Sequence, residues 1–275
     1  MAARSRSKPG RRRLPKRVQN AGPAFAAQPP ADHHEALVAN LTRDSMESFV
    51  TAVSPEDDAD PAEVTGRRIK ALYETVRDSL SIFDSLPAEL DLDPPLACKS
   101  GCIHCCYNQV ALTEGEAIYL GMHLLETRSK ERLQDLAVRT RALVDSLQGK
   151  KWQDIGMQRH RLPCLFMEDG NCSVYPARPL ACRGWNSVDV NMCIESNRTE
   201  NAMTLIEHHP ILRLVADGIQ TGLLRGYKTL GLEAGFLLMA RAVLLLLEGG
   251  AEQGVLACTV DWLQGKPFFA RRKAW

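Results

Sequence analysis

Four thiols crowd one short loop, Cys98-Lys99-Ser100-Gly101-Cys102-Ile103-His104-Cys105-Cys106, and four more follow at Cys164, Cys172, Cys182 and Cys193. Short loops let several thiolates converge on one soft cation, and Gly101 frees the backbone to turn between them. The chemistry open to such a set is zinc coordination or iron–sulfur assembly, because both favour sulfur donors. Adjacent side chains such as Cys105 and Cys106 strain to reach one small ion together, so they are expected to serve different ions or to bridge two. Eight thiols divide among one polynuclear cluster, two four-ligand sites, or one site with spare reactive thiols, and spacing leaves that choice open. The triplet Cys98, Cys102, Cys105 also has the spacing of enzymes that bind S-adenosylmethionine at an iron–sulfur cluster. Those enzymes place it early in a strand–helix alternation, and no such alternation follows here. A ninth cysteine, Cys258, shares an apolar helical face with Val255, Leu256 and Trp262 and is expected as core.

The neighbours of these thiols offer second candidates. Arg178 and Arg183 flank Cys182, either to offset thiolate charge and pin an anion or to tie down a loop. His104 can ligate or hydrogen-bond a sulfur, although an exposed loop histidine is the more usual outcome, and His160 stands close enough to Cys164 to substitute as a ligand. Glu114 and Glu116 are carboxylates near the cluster, but Thr113-Glu114-Gly115-Glu116 is a capping box that already explains them. Tyr175 and Trp185 are expected to pack around the cluster and screen it from water. His208-His209 is expected at the surface before Pro210. The chain holds no glycine-rich phosphate loop, serine elbow or metalloprotease histidine pair. Any catalysis would have to work through a metal centre.

Helices must position these residues. Apolar spacing predicts one helix from His33 to about Val53, an acidic loop over Glu56–Glu63, and a second helix over Ala62–Leu86, ended by Leu86-Pro87. A third is expected from Thr113 to about Arg128 and a fourth from Glu131 to Leu147, the two forming an antiparallel pair. The period then changes. Leu162–Met167 and Cys172–Tyr175 surround Asp169-Gly170, a hairpin that would set Cys164 beside Cys172, and Pro176–Gly184 turns back to return Cys182. Further helices are expected over Leu212–Leu224, Leu232–Leu247 and Val255–Leu263. The fold class that follows is mainly α, a helical bundle-like protein around a small irregular cysteine-rich core with a short β-hairpin.

Composition sets the limits. The chain has 275 residues, of which 45% are hydrophobic, enough to build a real core. Its net charge of +1 hides an asymmetry: eight bases and no acid precede Asp32, which leaves the remainder with 26 bases against 33 acids, about −7. That body is no general polyanion binder, so any nucleic-acid or acidic-surface contact falls to residues 1–31, expected as a disordered basic tail. Residues 32–92 read as an N-terminal helical region, 93–197 as the cysteine-cluster metal-binding domain and 198–275 as a C-terminal helical region. The longest apolar run, Phe236–Leu247, contains Arg241 and falls short of the roughly 20 residues that span a bilayer, so no membrane partner is expected. Without a secretory leader pattern the expected location is cytoplasmic, where thiols stay reduced and dense cysteines hold metals.

The compound pattern Cys98-x3-Cys102-x2-Cys105-Cys106, Val110-Ala111-Leu112-Thr113, Glu116, Cys164-Leu165-Phe166, Gly170-x-Cys172-Ser173-Val174-Tyr175 and Arg178-Pro179-x2-Cys182-Arg183 resembles the YkgJ-type cysteine-cluster family, named for a CxxCxxCC-like signature. The resemblance covers roughly residues 98–193. It implies chelation of zinc or iron, with Cys98, Cys102, Cys105, Cys106, Cys164, Cys172 and Cys182 at matched positions and Cys193 at a looser one. Some relatives resemble protein lysine methylases acting on flagellin, which implies an enzymatic branch, although no methyltransferase cofactor loop is present. The expected function is therefore metal binding through clustered thiolates. The alternatives are an iron–sulfur-dependent enzyme of redox or methyl-transfer type and an adaptor whose basic tail contacts nucleic acid.

Overall fold

A computed structural model describes residues 31–54 and 60–269. The expected basic tail lies outside them apart from Ala31, as does the first half of the expected acidic loop, whose second half is the cap and first turn of a helix. Ten α-helices and two small antiparallel sheets are found among the described residues, so the protein is mainly α. Helix α1 (Ala31–Val53) and α2 (Pro61–Glu89) lead into the thiol loop, and α3 (Glu114–Thr127) and α4 (Lys130–Leu147) follow it. Asp60 caps α2 by accepting from the amides of Ala62 and Glu63. That helix runs through Pro87 rather than stopping before it. In the last turn the ring costs little, since few bonds remain to be lost.

Local periodicity located helices well and partners poorly. The expected α3–α4 pair is not the main contact of α4, which packs on α9 (Met239–Leu247) instead. Arg128, between them, is extended (φ −121°, ψ 140°), so the chain leaves α3 in a new direction. The expected helix over Leu232–Leu247 is also corrected. Phe236–Leu238 forms strand β4 against β1 (Ala111–Thr113), in register Ala111 to Leu238 and Thr113 to Phe236. A three-residue pairing across so long a separation leaves no periodic trace in an unbroken apolar run. The hairpin is where expected: β2 (Met167–Glu168) pairs with β3 (Asn171–Cys172), and Asp169 (φ 48°) and Gly170 (φ 74°) supply the two left-handed residues of its turn.

The central layer is α8 (Pro210–Thr229), which packs on α1 along one face and on α6 (Leu180–Gly184) near its start. Gly222 makes the α1 contact close: a β-carbon there would collide with the carbonyl oxygen of Thr42. At the α6 contact Gly184 stands where a β-carbon would come within 2.9 Å of the Ala216 methyl, which draws the Cys182 helix down onto α8. One continuous core runs from Phe49 to Phe269, joining residues from all three expected structured regions. No single helix among the described residues is long and apolar enough to cross a membrane. The apolar α9 and α10 (Ala251–Leu263) meet at 108° and spend their hydrophobic faces in the core, Cys258 included.

Candidate metal centre

The two cysteine stretches meet. The Cys164 amide donates to the carbonyl of Cys106 at 2.7 Å, and the Gln109 side chain donates to the carbonyl of Leu162 at 2.9 Å, so loop 98–109 is stitched to the strand entering the hairpin. Gly101, at φ 86°, makes the turn that glycine was expected to allow. Two helices hold the hairpin from outside: Arg128 donates to Glu168 (3.1 Å) and to the Ser173 carbonyl, and Arg139 donates to the Leu165 carbonyl at 3.2 Å. Phe166 and Val174 bury almost completely beside it, at about 1.5–3 kcal/mol for each large apolar side chain.

Cys182 is placed by a buried carboxylate. Glu116 closes the capping box with Thr113, as expected, and its other oxygen accepts from the Leu180 amide at 2.8 Å, tying the first turn of α6 to the start of α3. Gln220 on α8 donates to the same carboxylate at 2.8 Å. Burial raises the Glu116 pKa and these three donors oppose the rise. Arg183 ties down the loop: it donates to the carbonyls of Arg178 and Pro176, each at 2.8 Å, and pairs with Asp84 of α2. Arg178 is the arginine that faces sulfur. It lies over the Tyr175 ring at 3.9 Å and its positive charge opposes the rise in pKa of Cys105, Cys172 and Cys182, while its buried Nε has no hydrogen-bond partner.

Cys193 sits on α7 (Val190–Arg198), a helix not anticipated from periodicity; its N-cap Asp189, which accepts from the Asn191 amide at 2.8 Å, is the signal that marks it. Ser187 is the other residue missed. Its carbonyl accepts from Ala97 and its amide donates to the Cys98 sulfur at 3.2 Å, while its hydroxyl donates to the carbonyl of Asp189, the N-cap of α7, at 2.8 Å. It therefore ties the first cysteine to the helix that carries the last.

All nine cysteines are free thiols. Cys105 is the hub of the eight, within electrostatic reach of Cys98, Cys106, Cys164, Cys172, Cys182 and Cys193. Around it six of the other seven fall into two sets, and Cys106, its chain neighbour, belongs to neither. Cys164, Cys172 and Cys182 interact with one another and pack against the hydrophobic core. Cys98, Cys102 and Cys193 interact with one another and, with Cys105, line a cavity of about 530 Å³. Burial pushes Cys98 and Cys164 up to about 11, and amides of Ser187 and Phe166 oppose the rise. Cys172, Cys182 and Cys193 are raised by burial as well, whereas Cys105 is raised first by its hydrogen bond with Cys106 and then by burial.

These donors have the chemistry of a thiophilic cation site: soft sulfur in number, amide N–H groups directed at three sulfurs (Val174 serves Cys172), and a cation alongside. Among the described residues, however, no three His, Cys, Asp or Glu side chains are placed to hold one ion directly.

The remaining candidates separate. His104 faces Asn197, which donates to its carbonyl at 3.2 Å, and no sulfur bond to its ring is seen. His160 sits by Arg159, Asn197, Asn201 and Glu200 rather than at Cys164. Trp185 is 46% exposed and lines the cavity, so it does not seal the cluster from water as expected. His209 is drawn inward: its Nε2 meets the Pro94 carbonyl at 2.7 Å.

Comparison with curated proteins and with solved structures finds no match. Residues 97–203 match the family model CxxCxxCC, described as a "Putative zinc- or iron-chelating domain". All eight clustered thiols fall inside that span, so residues 97–203 are similar to the domains of that family.

Proposed function

We propose that the protein binds zinc or iron through thiolates of Cys98, Cys102, Cys105, Cys106, Cys164, Cys172, Cys182 and Cys193, six of them in two sets on either side of the adjacent pair Cys105 and Cys106. The observation that carries the reading is the Cys164–Cys106 backbone bond, which supports convergence of two stretches that are distant in sequence. The core-packed set, Cys164, Cys172 and Cys182, is the structural one. A cation bound there supplies folding free energy to a segment of loops and three-residue helical turns, and offsets thiolate charge that burial otherwise opposes. Arg178 and the amides of Phe166 and Val174 stabilise the ionised sulfurs; Arg183 and Glu116 fix the backbone that carries Cys182.

Cys98, Cys102 and Cys193 open onto the cavity, and this favours a second reading in which a metal centre there is an iron–sulfur site doing redox or methyl-transfer chemistry. Elemental analysis of protein purified without oxygen separates the readings. Colourless protein with stoichiometric zinc supports the chelating role; brown protein with iron and acid-labile sulfide supports the second. Metal-free protein that is fully folded overturns both. A nucleic-acid role for residues 1–31 is tested by their deletion, which should abolish any binding to RNA or DNA.

A further inference from the structure

We infer that the cavity beside Cys98, Cys102 and Cys193 is a binding site for an organic acid with an apolar body, whose carboxylate is received by Arg159. The cavity, about 530 Å³, falls within the roughly 300–1,000 Å³ of small-molecule sites. Its walls explain an otherwise costly surface. Trp152 (57% exposed), Met157 (51%), Trp185 (46%), Met203 (74%) and Leu205 (78%) all line it, and such a concentration of exposed apolar side chains at a concave site marks a surface that something covers. One wall is α5 (Trp152–Met157), a helix anchored by a single buried residue, Ile155, so it has room to adjust to an occupant.

Charge sets the class of occupant. Although the body of the chain carries an excess of acids, no Asp or Glu lines this cavity among the described residues. Its one permanent charge is Arg159, whose guanidinium bonds are to the neutral side chains of Asn108 and Ser196. The guanidinium is held in place by bonds to Asn108 (3.3 Å) and to the buried Ser196 hydroxyl (2.6 Å). An oriented, partly buried guanidinium between apolar walls is complementary to a carboxylate on an apolar tail, and repels an amine on the same tail.

The test uses the full-length protein as purified, with anilinonaphthalenesulfonate as the fluorescent probe and octanoate, octanol and octylamine as competitors. Octanoate should displace the probe at least about tenfold more tightly than octylamine, with octanol between them. Arg159→Gln should bring octanoate level with octanol, and Arg159→Lys should keep part of the preference. Leu205→Asp, at an exposed position that folding tolerates, should abolish probe binding here even if Arg159→Gln proves unstable. Octylamine binding as well as octanoate, probe binding unchanged in Leu205→Asp, or capture of an apolar peptide with no response to any of the three competitors would each overturn the assignment.

Discussion

Cys182 and Cys193 are the same residue type eleven positions apart, yet the fold gives them opposite surroundings. Cys182 packs against the hydrophobic core, on a short helix held by Glu116, Arg183 and the close contact at Gly184. Cys193 rides on α7, which buries only Ser196, and opens onto a cavity with Cys98 and Cys102. A thiol of the first kind is coupled to the packing of the whole chain, and a thiol of the second kind to whatever enters the cavity. A cysteine-rich signature therefore does not define one site with eight equivalent ligands. It defines a sulfur supply that the surrounding elements divide.

The largest effect should come from the residue shared by both sides. Cys105→Ser is expected to remove most of the bound metal and to destabilise the protein by more than about 4 kcal/mol, the range reserved for loss of a metal site; metal analysis and thermal melts check both. Wild-type metal content in that variant would reject the hub. The two sides should then part company. Cys182→Ser should lower both metal content and Tm, whereas Cys193→Ser should lower metal content with Tm nearly unmoved. Equal shifts in Tm would erase the distinction.

Arg183→Met probes the brace without touching sulfur. It leaves two carbonyls and Asp84 without their donor, at about 1–3 kcal/mol for each buried group left unsatisfied. Denaturant melts should show the loss, and ligand competition at the cavity should not change. The smallest effect is expected for Trp185→Ala: half-exposed, it should alter stability by no more than about 0.5 kcal/mol while weakening probe binding in the cavity.

Much of this was legible in advance. The capping box at Thr113, the Asp169-Gly170 hairpin and the helix over Lys130–Leu147 depend on interactions within a few residues, and they sit where local rules put them. Asp189 and the short α7 were visible in principle as a cap followed by a helix, but nine residues give periodicity little to work on. The β1–β4 pairing, the partnership of α4 with α9 and the choice between Arg178 and Arg183 were not legible, since each depends on which distant surface arrives opposite.

Sequence alone determined that eight thiols are available between Cys98 and Cys193, that helices surround them, and that the basic charge is concentrated ahead of an acidic body, because residue type, short-range spacing and net charge are properties of the chain itself. Only the tertiary structure decided which thiols face the core and which face a cavity, that Arg183 holds backbone while Arg178 stands near sulfur, and that Ser187 ties the first cysteine to the helix of the last. Those assignments come from packing between segments far apart along the chain, and burial, the quantity that sets a thiol's chemistry, does not exist until those segments meet.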